Sequence, residues 1–418
     1  MARYNQKGLT HTAQSSTQLK KVNMKSKFLN INLIILILCQ GLFLTNNVTF
    51  IAINGLVGLS LAPTAWLATL PVMGYVVGGA LSTPLVSKAQ AKFGRKRCFQ
   101  LGLLVAIFSA LICAYAAWSQ NFYLLITGTF IAGFYSANGQ LYRFAAAEVT
   151  TKEFREKAVS WVLAGGLLGA IIGPNLAAWT HNLFETPFLG AYLSLCFVGL
   201  LGFLLMNFIS FPAEDQTYSH TTNVRSTFEL IKQPVFIVSV ICAAFGYGIM
   251  NLLMAATPLA MKICSLSFSE TALVLEWHVI GMFAPGFFTG SLIKRFGKFK
   301  IMITGVMLNL LCVIIALSGT DLTHFLIALF SLGVGWNFLF TGATTLAMTT
   351  YRAEEKNKAQ GAINFFVFAT MATTSFGSGA LITTQGWSLL NISSLLFVVL
   401  IFLTLVLWKI KLSKDQSL

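Results

Sequence analysis

Three ionisable side chains, Arg143, Glu276 and His278, sit inside long apolar runs of the chain. Charged or titratable groups there are costly to keep from water, and they usually serve a cavity, a partner or a proton path. An imidazole titrates near neutral pH and a desolvated carboxyl rises toward it. His278, with Glu276 behind it, is therefore placed to load and release a coupling proton; a hydrogen-bonded structural histidine is the competing reading. Positions two apart on a helix point about 200° apart, so the two side chains cannot face one cavity together. One lines a path and the other bonds or packs against a neighbouring helix. Arg143 has two readings of its own: snorkelling or pairing at a gate, or binding an anionic group of a solute.

Around these lie amides and one indole that can orient a solute: Asn46, Asn47, Asn138, Gln140, Asn251, Asn337, Asn364 and Trp336. Amides donate and accept, and Trp offers a stacking face. Each alone reads as glue between helices; together they suggest an uncharged or mixed-polarity organic solute, with an anionic group if Arg143 faces inward. The sequence shows no metal-ligand cluster, phosphate loop, dinucleotide fingerprint or serine-nucleophile elbow, so neither metal nor cofactor is expected, and ATP-driven pumping and enzyme chemistry lack support. The seven cysteines are scattered without a CxxC, which excludes a disulfide framework or zinc site.

The elements that must position these groups follow from composition. Of 418 residues 56% are apolar and only 10% are charged, against roughly 25% in a soluble domain. Such a chain cannot cover a soluble surface. Twelve apolar stretches, at 28–56, 63–86, 98–118, 121–146, 158–180, 187–211, 234–261, 271–293, 300–318, 322–349, 361–384 and 388–408, are each long enough to cross a bilayer core. They must be helices, because lipid offers backbone groups no partners and the alternation of barrel strands is missing. Arg143 falls about 13 Å from the middle of the fourth stretch at 1.5 Å per residue, and His278 about 6 Å from the middle of the eighth. Pro285 permits a bend beside His278.

The net charge of +15 would suggest nucleic acid in a soluble protein. With the N-terminus in the cytosol, however, 26 of the 28 basic residues fall in cytosolic segments, while Lys262 shares the outer loops with Glu185, Glu270 and Asp321. That asymmetry is a topology signal, with both termini cytosolic and no nucleic-acid partner. The expected layout is a disordered tail at 1–27, a six-helix bundle at 28–211, a cytosolic loop at 212–233, a second bundle at 234–408 and a tail at 409–418, in a monomer of the bacterial inner membrane.

The halves repeat. KFGRKR around Gly94 matches RFGKFK around Gly297 at an offset of 203 residues, and Lys157-Ala158 matches Lys358-Ala359 at 201. A repeat of this size suggests two bundles with a path between them. SKAQAKFGRKR from Ser87 and its copy GSLIKRFGKFK from Gly290 resemble the GxxxDRxGRR loops of the major facilitator superfamily of secondary transporters. The runs YRFAAAEVTTKEFREKAVSWVLAGGLLGAIIGPNLA from Tyr142, EWHVIGMFAPGFFTGSLIKRFG from Glu276 and KAQGAINFFVFATMATTSFGSG from Lys358 are similar to a bacterial branch of it that has no firmly established substrate.

That resemblance implies an all-α fold of twelve spans in two pseudo-symmetric bundles and transport by alternating access. It also makes Gly94, Arg95, Lys96, Arg97, Gly290, Arg295, Gly297 and Lys298 a conformational gate. The pattern's acid is replaced by Ala91 in one loop and Lys294 in the other, so the family's charge latch is in question. Gly165, Gly169, Gly173 and Pro174 lie in a run, GLLGAIIGP, that looks like the family's antiporter signature; close helix packing explains the same spacing. Thr129 stands where drug exporters carry Arg. The expected function is proton-coupled transport of a small organic solute, with efflux by antiport favoured over uptake by symport or facilitation, and a transporter-like sensor without flux as the distant reading.

Overall fold

In the computed structural model, which describes residues 30–151, 154–211, 225–352 and 355–415, each of the twelve apolar stretches falls on helix. The first half contributes α1 (Ile31–Leu61), α2 (Leu70–Phe93), α3 (Arg95–Trp118), α4 (Phe122–Gly139), α5 (Tyr142–Glu148), α6 (Arg155–Thr180) and α7 (Leu189–Asn207). A short α8 (Thr227–Ile231) follows, then α9 (Pro234–Ile263), α10 (Phe268–Phe283), α11 (Gly286–Phe296), α12 (Lys298–Ser318), α13 (Leu322–Ala347) and α14 (Lys356–Asp415). Among the described residues nine helices are long and apolar enough to cross a membrane, or ten with the bent pair α10–α11 as one span. α14 is two helices divided at Gly386, whose φ of 80° a side chain would strain.

Lipid facing is visible on single helices. Leu101, Leu104, Phe108, Leu111, Tyr115 and Trp118 of α3 are all exposed, at three- and four-residue spacing, which is the stripe a helix turns outward when its solvent is hydrocarbon. Its opposite face buries Cys98, Phe99, Leu103, Ala106, Ala110 and Cys113.

Helix pairing repeats between the halves. In the first, α1 packs on α6, α2 on α4, and α3 on α4 and α7; in the second, α9 and α12 pack on α14, and α10 and α12 on α13. The bundles meet through α6 against α10 and, in the symmetry-related way, α2 against α14. Small residues allow these approaches: a Cβ on Gly133 would lie 2.2 Å from the Gly79 nitrogen, and one on Gly333 2.3 Å from the His278 carbonyl.

Three expectations change and one, the bend that Pro285 permits, is met. The fourth stretch is two helices: the Phe43 ring occupies the space of a Cβ at Gly139, and the chain turns at Gln140–Leu141. Arg143 is thus on α5 rather than on the helix of Asn138. The eighth stretch bends by 43° at Ala284–Pro285, where proline lacks the backbone N–H. The last helix runs past 408 to Asp415, so most of the 409–418 tail is helical. The end of the central loop is folded: a capping box of Ser226 and Glu229 starts α8, which buries Leu230. The N-terminal tail and 212–224 lie outside the described residues.

Candidate functional site

Three hydrogen bonds and three ring contacts join the bundles at the end opposite the Gly94 and Gly297 loops. Thr69 Oγ1 donates to the Ser375 carbonyl at 2.6 Å and accepts from the Gly379 N–H at 3.0 Å. Asn175 Nδ2 on α6 donates to Glu276 Oε2 on α10 at 2.7 Å. Trp66 meets Phe376 edge-on, and Phe268 lies between His181 and Phe188 at 5.0 and 5.3 Å. The end opposite the basic loops is therefore closed.

Glu276 and His278 diverge as two-residue spacing requires. Glu276 crosses to the other bundle. His278, fully buried, holds its Nδ1 2.7 Å from the Leu329 carbonyl of α13, and its Nε2 has no partner. The histidine bonds helix to helix inside one bundle; the carboxylate bonds across the contact between the bundles.

The amides divide similarly. Asn251 donates to Met371 O, Thr374 Oγ1 and Ser375 Oγ on α14. Asn337 donates to Met282 O and accepts from Thr289, bridging the α10–α11 bend. Asn138 bonds to its own helix at Phe134 O and packs on Gly102 of α3. These three hold helices together. Asn47 donates to Tyr75 OH at 3.0 Å, and neighbouring Asn46 is buried with neither amide atom partnered. Gln140 and Asn364 are exposed.

Where the bundles meet, aromatic rings gather that spacing did not single out, Trp336 apart. Tyr247 of α9 lies edge-on to Trp336 at 5.1 Å and to Phe340 at 5.4 Å, and Trp336 stacks on Phe340 at 5.3 Å. Phe283 lies 6.4 Å from Trp336 and also packs against the first bundle's cluster of Phe43, Leu44 and Tyr142. Arg143 adjoins this set from the first bundle. Its guanidinium is 4.9 Å from the Phe144 ring, Tyr247 lies within reach of its charge, and its Nε is buried without a hydrogen-bond partner. Tyr247 escaped detection because a tyrosine in an apolar run has no local signature.

At the basic end Gly94 and Gly297 have φ of 81° and 85° and ψ of 159° and 155°, each ending one helix and starting the next. This identity is the repeat in backbone form, and only glycine holds it without strain. Arg95 bonds through its fork to the Glu148 carboxylate and to Gln90 Oε1, and Lys96 bonds to Asn207 O at 2.8 Å. The acid missing from the loop pattern is thus supplied from the end of α5. Arg97, Gly290 and Arg295 are exposed, and Lys298 is half-buried.

A second clamp went unforeseen, its partners lying 130 residues apart. Arg225 Nε and NH2 donate to Glu355 at 2.7 and 2.6 Å, and Lys358 Nζ bonds to the Arg225 carbonyl at 3.1 Å. These bonds, with the Arg352 N–H, hold the Glu355 carboxyl down at about 2. The glycine series serves packing: Cβ atoms on Gly165 and Gly169 would lie 2.4 Å from Ile37 O and 2.5 Å from Leu44 Cβ, and Thr49 donates to Gly173 O, all on α1; Pro174 follows within α6.

The family model for the Major Facilitator Superfamily matches residues 33–367 and, in an overlapping match, 239–417. The riboflavin transporter RfnT of Brucella anthropi is 39% identical over 379 residues, covering 90% of this chain and 95% of that one. The uncharacterized MFS-type transporter YddS of Bacillus subtilis is 24% identical, covering 88% of each. Among solved structures the nucleoside transporter NupG superposes with a TM-score of 0.72 at 10% identity, over 91% of this chain and 99% of that one. A bacterial metal transporter gives 0.66 at 14%, over 92% and 100%. These two likenesses concern the fold alone.

Proposed function

This chain belongs to the Major Facilitator Superfamily and is a membrane transporter of a small solute; from that premise we propose that it carries riboflavin or a closely related flavin by alternating access, coupled to protons. The observation that carries the substrate is the identity to a riboflavin transporter along nearly the whole chain. The Tyr247, Trp336 and Phe340 rings at the bundle interface supply what a flat tricyclic ring system needs, stacking faces with few polar demands. Charge asymmetry supports a cytosolic basic end, so the conformation reads as open toward the cytosol and closed outside.

Glu276 carries the coupling proton in this reading. It is the ionisable side chain in the hydrogen bonds that join the bundles at the closed end, so its protonation and that contact change together. Proton-driven uptake is the direction proposed. Export by antiport is the second reading, favoured by the GLLGAIIGP run, although α1–α6 packing already accounts for its glycines.

The test is riboflavin fluorescence in proteoliposomes under an imposed inward proton gradient. Wild type accumulates flavin and a protonophore abolishes the accumulation. Glu276→Gln retains exchange of flavin for flavin while losing the response to the gradient. Flavin loss from loaded vesicles under the same gradient selects export, and absence of flavin counterflow in wild type refutes the substrate.

A further inference from the structure

We propose that Arg143 is the specificity-determining residue of the solute site, reading the acceptor-rich dione edge of the flavin ring while Tyr247, Trp336 and Phe340 take its flat body. The proposal rests on the flavin reading and adds to it which part of the solute is recognised.

The argument begins with an unbalanced charge. A guanidinium remains protonated in a protein interior, and a buried donor of a charged group is costly to leave without an acceptor. Carboxylates near the other buried or clamped groups are already engaged: Glu148 with Arg95, Glu355 with Arg225, and Glu276 with Asn175. Glu229 and Glu270 close capping boxes on their own helices. Among the described residues Arg143, half-buried with its Nε wholly buried, has the Phe144 face, the nearby Tyr247 and no acceptor at Nε.

Its position makes that vacancy informative. Arg143 belongs to the first bundle, Tyr247, Trp336 and Phe340 to the second, and Phe283 touches both. The buried Trp336 Nε1 is a second donor without a partner in the same chain of contacts. Two unused donors from opposite bundles, beside stacked rings, suit a planar heteroaromatic with several acceptors along one edge. The pyrimidine-dione side of an oxidised flavin is such an edge, offering a ring nitrogen and an adjacent carbonyl oxygen to a planar two-pronged donor. The ribityl chain offers hydroxyls that need no cation. A solute that ties both bundles to itself also supplies the differential contacts that alternating access requires.

Four probes separate the possibilities in vesicles: riboflavin, lumiflavin (the same ring system with a methyl in place of the ribityl chain), ribitol, and FMN, whose phosphate is a true anion. Lumiflavin is expected to compete with riboflavin at similar concentrations in wild type, and ribitol not at all. Arg143→Met is expected to raise the half-saturating concentration of both flavins about tenfold, the worth of one hydrogen bond to a charged group. Arg143→Lys keeps the charge but not the fork, and should show a smaller rise in the same direction; it also covers the case in which the methionine variant fails to fold. A merely structural arginine would lower the maximal rate and leave half-saturation and the lumiflavin-to-riboflavin ratio unchanged, which would overturn the proposal while riboflavin transport stands. FMN carried in preference to both neutral flavins would overturn it in favour of an anion site. Absence of riboflavin transport by wild type would instead remove the reading on which it rests.

Discussion

Thr69→Val is the substitution that isolates the closed end. Valine keeps the size of threonine and removes the hydroxyl that donates to Ser375 O and accepts from Gly379 N–H. Inside the folded state little else is lost, because the Ser375 carbonyl also accepts from Ser378 Oγ. Hydrogen bonds between membrane helices are worth about 0.6 kcal/mol each on average, so losing two costs the closed conformation about 1.2 kcal/mol. That shifts the balance toward opening roughly eightfold at 1.36 kcal/mol per decade. Gly379→Ala acts in the same direction by a different route, since its Cβ would lie 2.2 Å from Thr69 Oγ1. The assay is pulsed EPR on labels at Leu183→Cys and Ile263→Cys, exposed positions of the two bundles at this end that take no part in the joining contacts, in a background lacking the native cysteines. The longer-distance population should rise about eightfold from a small starting fraction. An unchanged distribution for Thr69→Val would show that these bonds do not hold the bundles together and would refute the reasoning.

Further outcomes follow from the same geometry. Gly94→Ala and Gly297→Ala should each lose about 1–3 kcal/mol, the cost of a side chain in an extended, positive-φ conformation that is essentially glycine-only, measurable as a lower unfolding temperature in detergent. Gly169→Val should cost about 1–3 kcal/mol or more by forcing α1 and α6 apart, and the loss should persist in variants of Glu276 if the series serves packing alone. The Glu355 carboxyl lies at about 2, down from 4.5, because Arg225 and the Arg352 N–H bond its charged form. The clamp's contribution is then complete above 4.5 and disappears as pH falls toward 2. Glu355→Gln should be less stable than wild type at neutral pH, and the two should converge in an acid titration of thermal stability.

The fold was legible because lipid imposes a coarse rule: a run of apolar residues long enough to cross must be helical. Helix breaks were less legible, being set by contacts between distant segments. Pro285 announces its own bend, whereas the turn at Gln140–Leu141 has no such local signal, and the Phe43 ring that fills the space beside Gly139 comes from another helix. The candidate site was half legible for the same reason. Deep charge marked Glu276, His278 and Arg143, and helical geometry separated the first two. Which of the pair crosses to the other bundle depended on Asn175, 101 residues away, and nothing local in the sequence encodes that distance.

The two ends of the molecule are held by different forces, and this bears on how the proton enters. Among the described residues the two ion pairs at the basic end each lie within one half of the chain: Arg95 with Glu148 in the first, Arg225 with Glu355 in the second. Rocking one bundle against the other need not break either. Lys298 matches Arg95 in the repeat, yet the buried Glu355 takes its cation from the central connection, so the connection is fastened to the second bundle while its other end continues the first. At the far end, which the proposed cycle would part, the joining contacts are neutral hydrogen bonds and ring contacts apart from the Glu276 carboxylate and the His181 imidazole that meets Phe268. Neutral bonds of this kind do not respond to pH. Of the two titratable groups, Glu276 is the one hydrogen-bonded across the bundles, so the proposed coupling proton is assigned to the carboxylate that receives the Asn175 amide, since protonation weakens an acceptor of charge-assisted hydrogen bonds. His278, bonded within its own bundle to Leu329, experiences no such change when the bundles part. The proposed coupling role therefore goes to the residue bonded across the bundles rather than to the one bonded within a bundle.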